Sequence, residues 1–501
     1  MPTIITEGVA SARGFGFGGS GGSAQLAVYI EDVFSTYLYT GTGATQTITN
    51  GIDLSGKGGL IWMKSRSAAT DHALYDTARG ATFDLVSNST AVQTTQATGL
   101  TSFGSTGFSI GALAKINTSA ATYVSWAFRK QAKFFDIVTY TGTGSNRTIA
   151  HNLGSTPGCI IVKRTDISAS WQVYHKNLTS AAYSLQLNLS NAQASAPTVW
   201  NSTAPTSSVF SVGTDASVNA SAGTYVAYLF ASNAGGFGVS GTDDAITCGI
   251  FSGDTTVNLG WEPQFIITKS SNITYPWYMY DSMRGMTVDA GDQYFTANSS
   301  TSEGSSGAPS FIAPTATGFI TSTYTGSNEI YIAIRRGPMR TPTSGTSVFK
   351  PIAVNAATGT AQTTGFVIDS QWKAKRATDT LNTSIDDRLR GVSTTTTSSG
   401  NYLITSGTAI EDTTNATTRS WNNSGFQIPT YYGSASDIFW SFGRAPGFFD
   451  EVCYAGTGSN TTQTHNLGVV PELMIVKGRS GATAWQVYSS ALANTEYLVL
   501  N

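Results

Sequence analysis

Short runs of four to eight residues, rich in apolar and β-branched side chains, recur along the chain between clusters of Gly, Asn, Pro and Ser. That is the pattern of β-strands joined by turns. Four runs alternate alike, each after a Gly-Phe or Val-Phe turn and a polar stretch: Tyr123 to Arg129, Tyr225 to Ala231, Ile330 to Arg336 and Asp437 to Arg444. A period of two sends successive side chains to opposite faces of a strand. Helical periodicity is scarce. The pattern predicts an all-β fold of concanavalin-like or jelly-roll sandwiches.

Self-similarity sets the architecture. Phe134-Phe135-Asp136 returns as Phe448-Phe449-Asp450, 314 positions later (134 to 448). His151-Asn152-Leu153-Gly154 returns as His465-Asn466-Leu467-Gly468 at the same offset. So does Trp171-Gln172-Val173-Tyr174, as Trp485-Gln486-Val487-Tyr488. Fainter copies open at Tyr39-Thr40-Gly41, at Val257-Asn258-Leu259-Gly260 and at Gly365-Phe366-Val367. The copies place sandwiches at 33–133, 134–231, 232–344, 345–447 and 448–501. Each is expected to bury its own small core. The fifth lacks the half corresponding to 188–231, so either the chain is expected to continue or another chain to complete it.

Residues 1–32 differ in kind. Residues 10–26 form a Gly/Ser-rich linker, and the first nine residues are read either as a docking peptide or as a disordered start.

Charged residues are 12 % of the chain, about half the usual share, and net charge is −2. No basic run exists, which argues against nucleic acid as a partner. No signal peptide and no run of 18 apolar residues is present, so neither export by a leader nor membrane insertion is expected. Cys159, Cys248 and Cys453 form no CxxC and are read as buried small side chains.

Three copies carry Asp-x-x-Arg-Gly: Asp76/Arg79, Asp281/Arg284 and Asp387/Arg390. Acid and guanidinium three residues apart fit one tight loop as a bidentate pair. The pair reads as a salt bridge holding the loop, or, with Tyr75, Tyr280 or Trp277 nearby, as part of a sugar site; threefold recurrence favours structure. His151 and His465 read as turn residues capping a backbone group. No histidines sit at metal-ligand spacing, and no cofactor motif stands in a suitable context. Asp243-Asp244, Asp386-Asp387 and Glu411-Asp412 read as solvated turn residues. Tyr275, Trp277, Tyr278, Tyr431 and Tyr432 lie near turns and are the candidate platforms for stacking a glycan.

The stretch from Tyr140-Thr141-Gly142-Thr143-Gly144 through His151-Asn152-Leu153-Gly154 to Trp171-Gln172-Val173-Tyr174-His175 is similar to a repeated domain of minor structural proteins from marine and cyanobacterial tailed phages. Gly58-Gly59-Leu60-Ile61-Trp62-Met63-Lys64 and Ala12-Arg13-Gly14-Phe15-Gly16-Phe17 resemble it too. The likeness covers 10–231 and 448–501 and fades over 232–447. It implies a virion component assembled in the host cytoplasm, a tail fibre or related appendage without catalytic residues. It also implies lectin-like sandwiches, trimerisation, docking to other tail or capsid proteins through the N-terminus, and a host surface glycan as ligand. A purely structural adaptor or spacer is the alternative; a polysaccharide depolymerase is a weaker one.

Overall fold

A computed structural model describes residues 27–288, 291–306, 311–323, 327–354, 356–375, 383–391, 401–413, 420–429, 437–493 and 495–500. The fold is all-β. Besides short 3-10 turns, the helices among the described residues are two of four residues, Ala114–Asn117 and Ala216–Asn219. No described helix is long and apolar enough to cross a membrane.

One strand order is written four times. An opening strand pairs antiparallel with a closing strand, the closing strand with an inner strand, and the inner strand with a rim strand. In the first sandwich these are Phe34–Thr40, Thr122–Arg129, Gly59–Ser65 and Ala73–Asp76. In the second they are Phe135–Thr141, Thr224–Phe230, Cys159–Arg164 and Gln172–His175, extended by Tyr183–Gln186. In the third they are Ile246–Ser252, Asn328–Arg335, Pro263–Ser270 and Tyr278–Asp281, extended by Gln293–Thr296. In the fourth they are Phe349–Val354, Asp437–Phe442, Ser370–Lys375 and Ser384–Asp387. A smaller sheet covers one face of each, such as Gln46–Thr49, Gly107–Ile110 and Leu100–Phe103 in the first. In 448–501 the described strands are Leu473–Val476, Gln486–Ser489 and Leu498–Val499.

The inner strands are buried on both faces: all seven positions of Gly59–Ser65 and all six of Cys159–Arg164. A sheet with one wet face would alternate. In the first sandwich Ile61, Met63 and Tyr75 pack inward against Ile48, Phe108 and Ile110. Leu60, Trp62, Trp126 and Phe128 point the other way and join Cys159, Tyr228 and Phe230 of the second sandwich and Phe265, Ile267 and Ile334 of the third. Ring centroids of Phe128–Phe230 lie 5.8 Å apart, of Phe128–Phe265 6.1 Å and of Phe34–Phe265 5.6 Å.

The first, third and fourth sandwiches each bury a core of their own, as expected; what was not expected is that the first three also share another. The first three large sheets turn their backs to one another around a common hub. The physical reason is the unbroken apolar run of each inner strand, such as Leu60-Ile61-Trp62-Met63 or Phe265-Ile266-Ile267, which supplies apolar side chains to both faces. Each large hub side chain contributes roughly 1.5–3 kcal/mol by leaving water. The fourth sandwich keeps a separate core around Val354, Ile368, Trp421 and Phe439, and Trp485 packs with Ile385 and Leu403 where it meets the fifth. Cys159 and Cys248 are buried free thiols, and Cys453 is a half-buried one.

Candidate functional site

The Asp-x-x-Arg-Gly loops end three rim strands. Asp76 Oδ1 accepts the Arg79 backbone N–H at 2.9 Å, and Oδ2 lies 2.6 Å from Arg79 Nε. Arg284 repeats both contacts with Asp281 at 2.9 and 2.6 Å. Arg390 repeats them with Asp387. Each guanidinium then donates to a carbonyl of its own rim strand: Leu74 at 3.1 Å, Met279 at 3.0 Å and Ile385 at 3.1 Å. The loop turns through Gly80, Gly285 and Gly391 at φ of 102°, 116° and 106°, which explains the glycine after arginine.

The carboxylates also reach across sandwich boundaries. Tyr228 of the second closing strand donates its hydroxyl to Asp76 of the first at 2.7 Å. Trp126 holds the same place in the first closing strand, and its indole N–H donates to Asp281 of the third at 3.0 Å. In the second sandwich His175 stands where Asp76 and Asp281 stand, with Nε2 3.2 Å from the Tyr331 carbonyl of the third closing strand. First meets second, second meets third, and third meets first: the ring closes within one chain.

Two further contacts repeat around it. Trp171 Nε1 donates to the Val86 carbonyl and Trp277 Nε1 to the Gln186 carbonyl, both at 3.0 Å. His72 Nε2 lies 3.1 Å from the Thr296 carbonyl. The backbone N–H groups of Gln93, Gln193 and Glu303 donate to the carbonyls of Thr165, Ser271 and Arg66 at 3.2, 2.9 and 3.1 Å. Both contacts recur once more between the fifth and fourth sandwiches: Trp485 Nε1 to the Ile404 carbonyl at 2.8 Å, and Glu411 N–H to the Arg479 carbonyl at 3.0 Å. The fourth and fifth therefore meet as the first and second do. Where this position is acidic, its neighbour is arginine: Arg66–Glu303 and Arg479–Glu411 pair at 2.7 Å each.

Two ring contacts use neutral histidine. Trp62 donates its indole N–H to His72 Nδ1 at 2.9 Å, so Nε2 carries the proton given to Thr296. Burial, with Lys64 close by, brings the His72 pKa down to about 3. Burial does the same to His175, whose Nδ1 accepts the Asn177 N–H at 3.2 Å. His151 and His465 cap their own turns, with Nδ1 accepting the N–H of Leu153 at 3.3 Å and of Leu467 at 3.2 Å.

Where the third sandwich meets the fourth and fifth, charges interlock. Arg444 grips both Glu262 oxygens at 2.9 and 2.6 Å and Asp450 at 2.8 Å. Arg336 pairs with Asp369 at 2.8 Å. Nearby, burial and then the Asp387 carboxyl push Glu451 well above the ordinary carboxylate range.

The candidate glycan platform breaks up. Trp277 is buried in the hub at 3 % exposure with its N–H spent on Gln186, so it offers no face to a sugar. Tyr275 and Tyr278, 5.3 Å apart, are half-buried against the third core beside Tyr294 and Phe311. Tyr431 and Tyr432 lie outside the described residues. Asp386 and Asp387 are another correction: both are buried in a strand, on opposite faces, paired with Lys373 and Arg390. Their hydrophilic sequence hid two buried cations. Sequence reading also missed Asn117 and Asn219. Each is buried and ties an opening turn to the loop before the closing strand, through the backbone N–H of Thr42 and of Thr143. The shared Asn-x-Ser-Ala at 117–120 and 219–222 was the available signal. Among the described residues, no group of three or more His, Cys, Asp or Glu could hold a metal.

Fold and interfaces define a tandem all-β protein whose most specific chemistry lies between its sandwiches. The chain belongs to the family described as Domain of unknown function (DUF7483), whose model matches residues 30–334 and 441–501. The first match opens at the 3-10 turn before the first opening strand and stops at Ile334 in the third closing strand, so it spans the whole ring. No curated protein matches the chain.

Proposed function

We propose that this protein is a non-enzymatic scaffold, a rigid spacer or adaptor in the appendage of a tailed-phage particle, in which one chain supplies a threefold-like ring. The observation that carries this reading is the closed cycle of carboxylate, indole and backbone contacts through residues 30–335. The Asp-x-x-Arg pairs and the tryptophans that would serve a reaction centre or a sugar site are spent on holding sandwiches together. That favours the spacer over the adhesin and over the depolymerase. The phage assignment rests on the sequence resemblance alone.

On this reading threefold geometry needs no trimer. Light scattering on the purified chain is expected to give one copy, 52.6 kDa; three times that mass would restore the homotrimer. Immunogold labelling of particles is expected along a shaft or collar. Label at a receptor-contacting tip, or saturable binding of the chain to host glycans, would overturn the spacer reading.

A further inference from the structure

The core of the fourth sandwich departs from its sisters at one group of positions. Strand register aligns Gln371 with Ile61, Lys373 with Met63, Asp386 with Tyr75 and Asp437 with Tyr123 of the first sandwich. In the first, all four belong to the apolar core. The second keeps them apolar or aromatic, as Ile160, Val162, Tyr174 and Tyr225. The third has an acid, Glu329, at the place of Asp437, but Thr268 at the place of Lys373, so it lacks the amine. The fourth brings an amine and two carboxyls together.

All four of its polar side chains stay inside, at 0 or 1 % exposure. They share one face of three neighbouring strands, Ser384–Asp387, Ser370–Lys375 and Asp437–Phe442. Phe439, directly across from Lys373, lies on that face and packs in the apolar core with Val354. Lys373 Nζ pairs with Asp386 Oδ2. Asp437 stands two places from Phe439 along the closing strand, on a diagonal within reach of a long side chain. Gln371 donates to the Ser441 hydroxyl at 3.0 Å. Holding an ammonium and a carboxylate away from water is costly. An amide in their place carries no charge and loses less by burial. The amine already sits against the carboxyl, so the encounter that such a reaction needs is built in.

We propose that Lys373 and Asp386 condense into an intramolecular isopeptide bond, with Asp437 as proton carrier. The bond ties the inner strand to the rim strand of the fourth sandwich. A bond forms between Lys373 Nζ and Asp386 Cγ, and one Cγ–O bond of Asp386 breaks. The ammonium gives up two protons, the first by way of Asp437. Both end on the departing oxygen, which leaves as water. The positive and negative charges of the pair vanish together, and no oxidant, reductant or further reactant takes part.

Mass spectrometry of the denatured 501-residue chain reads the bond directly. The chain should weigh one water less than its sequence requires. Trypsin should release residues 341–375 joined to residues 377–388 as one branched peptide, with fragment ions that place the branch at Lys373 and Asp386. Lys373→Met and Asp386→Ala should each restore the full mass. Asp437→Asn keeps both reacting groups and should also remain at full mass. The parent chain decides the matter whether or not these variants fold. Full mass and two separate tryptic peptides from the folded parent would overturn the proposal. So would a missing water that persists in Asp386→Ala, since the bond would then lie elsewhere. Linkage of Asp437→Asn to the parental extent would overturn the part given to Asp437.

Discussion

Arg66 and Glu303 meet at the contact that closes the ring, with side chains only 4 and 6 % exposed. Removing one partner of such a pair strands a buried charge and costs about 3–5 kcal/mol. The sister contacts solve the same problem without charge, using Gln93 beside Thr165 and Gln193 beside Ser271. Glu303→Gln should therefore destabilise strongly alone, and Arg66→Thr less so, because Glu303 keeps Arg284 Nη1 at 3.4 Å. Together they should recover stability to within about 1 kcal/mol of the parent, because the double variant recreates the neutral contact. Urea denaturation of the four proteins checks this, and additive losses would refute it. Tyr228→Phe should cost about 1–3 kcal/mol by leaving the buried Asp76 oxygen one donor short, again read by urea denaturation. The sequence displayed the Asp–Arg pairs, because three-residue spacing is local. It did not display Tyr228 or Trp126 as their partners, because those lie 152 and 155 positions away and their hydroxyl and indole carry no local signature.

Rim strands decide how the protein answers acid. His175 closes one rim strand and donates from Nε2 while Nδ1 accepts, so protonation would set two donors against each other. Its folded pKa, about 3, lies below the unfolded value near 6.5. The stability it contributes is therefore whole above pH 6.5 and lost as pH falls from there toward 3. Asp292, pushed up to about 7 by burial, pulls the other way over part of that range. Comparing His175→Gln with the parent cancels it. Between pH 6 and 4 the parent should lose up to about 1.4 kcal/mol per pH unit more than the variant. Parallel stability-against-pH curves would contradict a neutral buried histidine.

Strands were legible at this scale. The alternating closing runs and the shared turns are local patterns, and the structure has strands there. The hub was not read, although the doubly apolar inner runs such as Ile160-Ile161-Val162 carried its signal. Trp277 was misplaced for the same reason: proximity to a turn says nothing about which neighbour covers a side chain.

At the scale of the molecule, residues 30–335 form three sandwiches around one apolar hub, so they should behave as a single cooperative body. The measurement that tests this most directly is native-state hydrogen exchange in low urea, on the parent and on Phe128→Leu, a change confined to the hub. The amides of Gly59–Ser65, Cys159–Arg164 and Pro263–Ser270 should open with one shared free energy, and Phe128→Leu should lower all three by the same amount. If protection falls in Gly59–Ser65 alone while the other two strands hold theirs, the sandwiches are independent beads and the ring is not a structural unit.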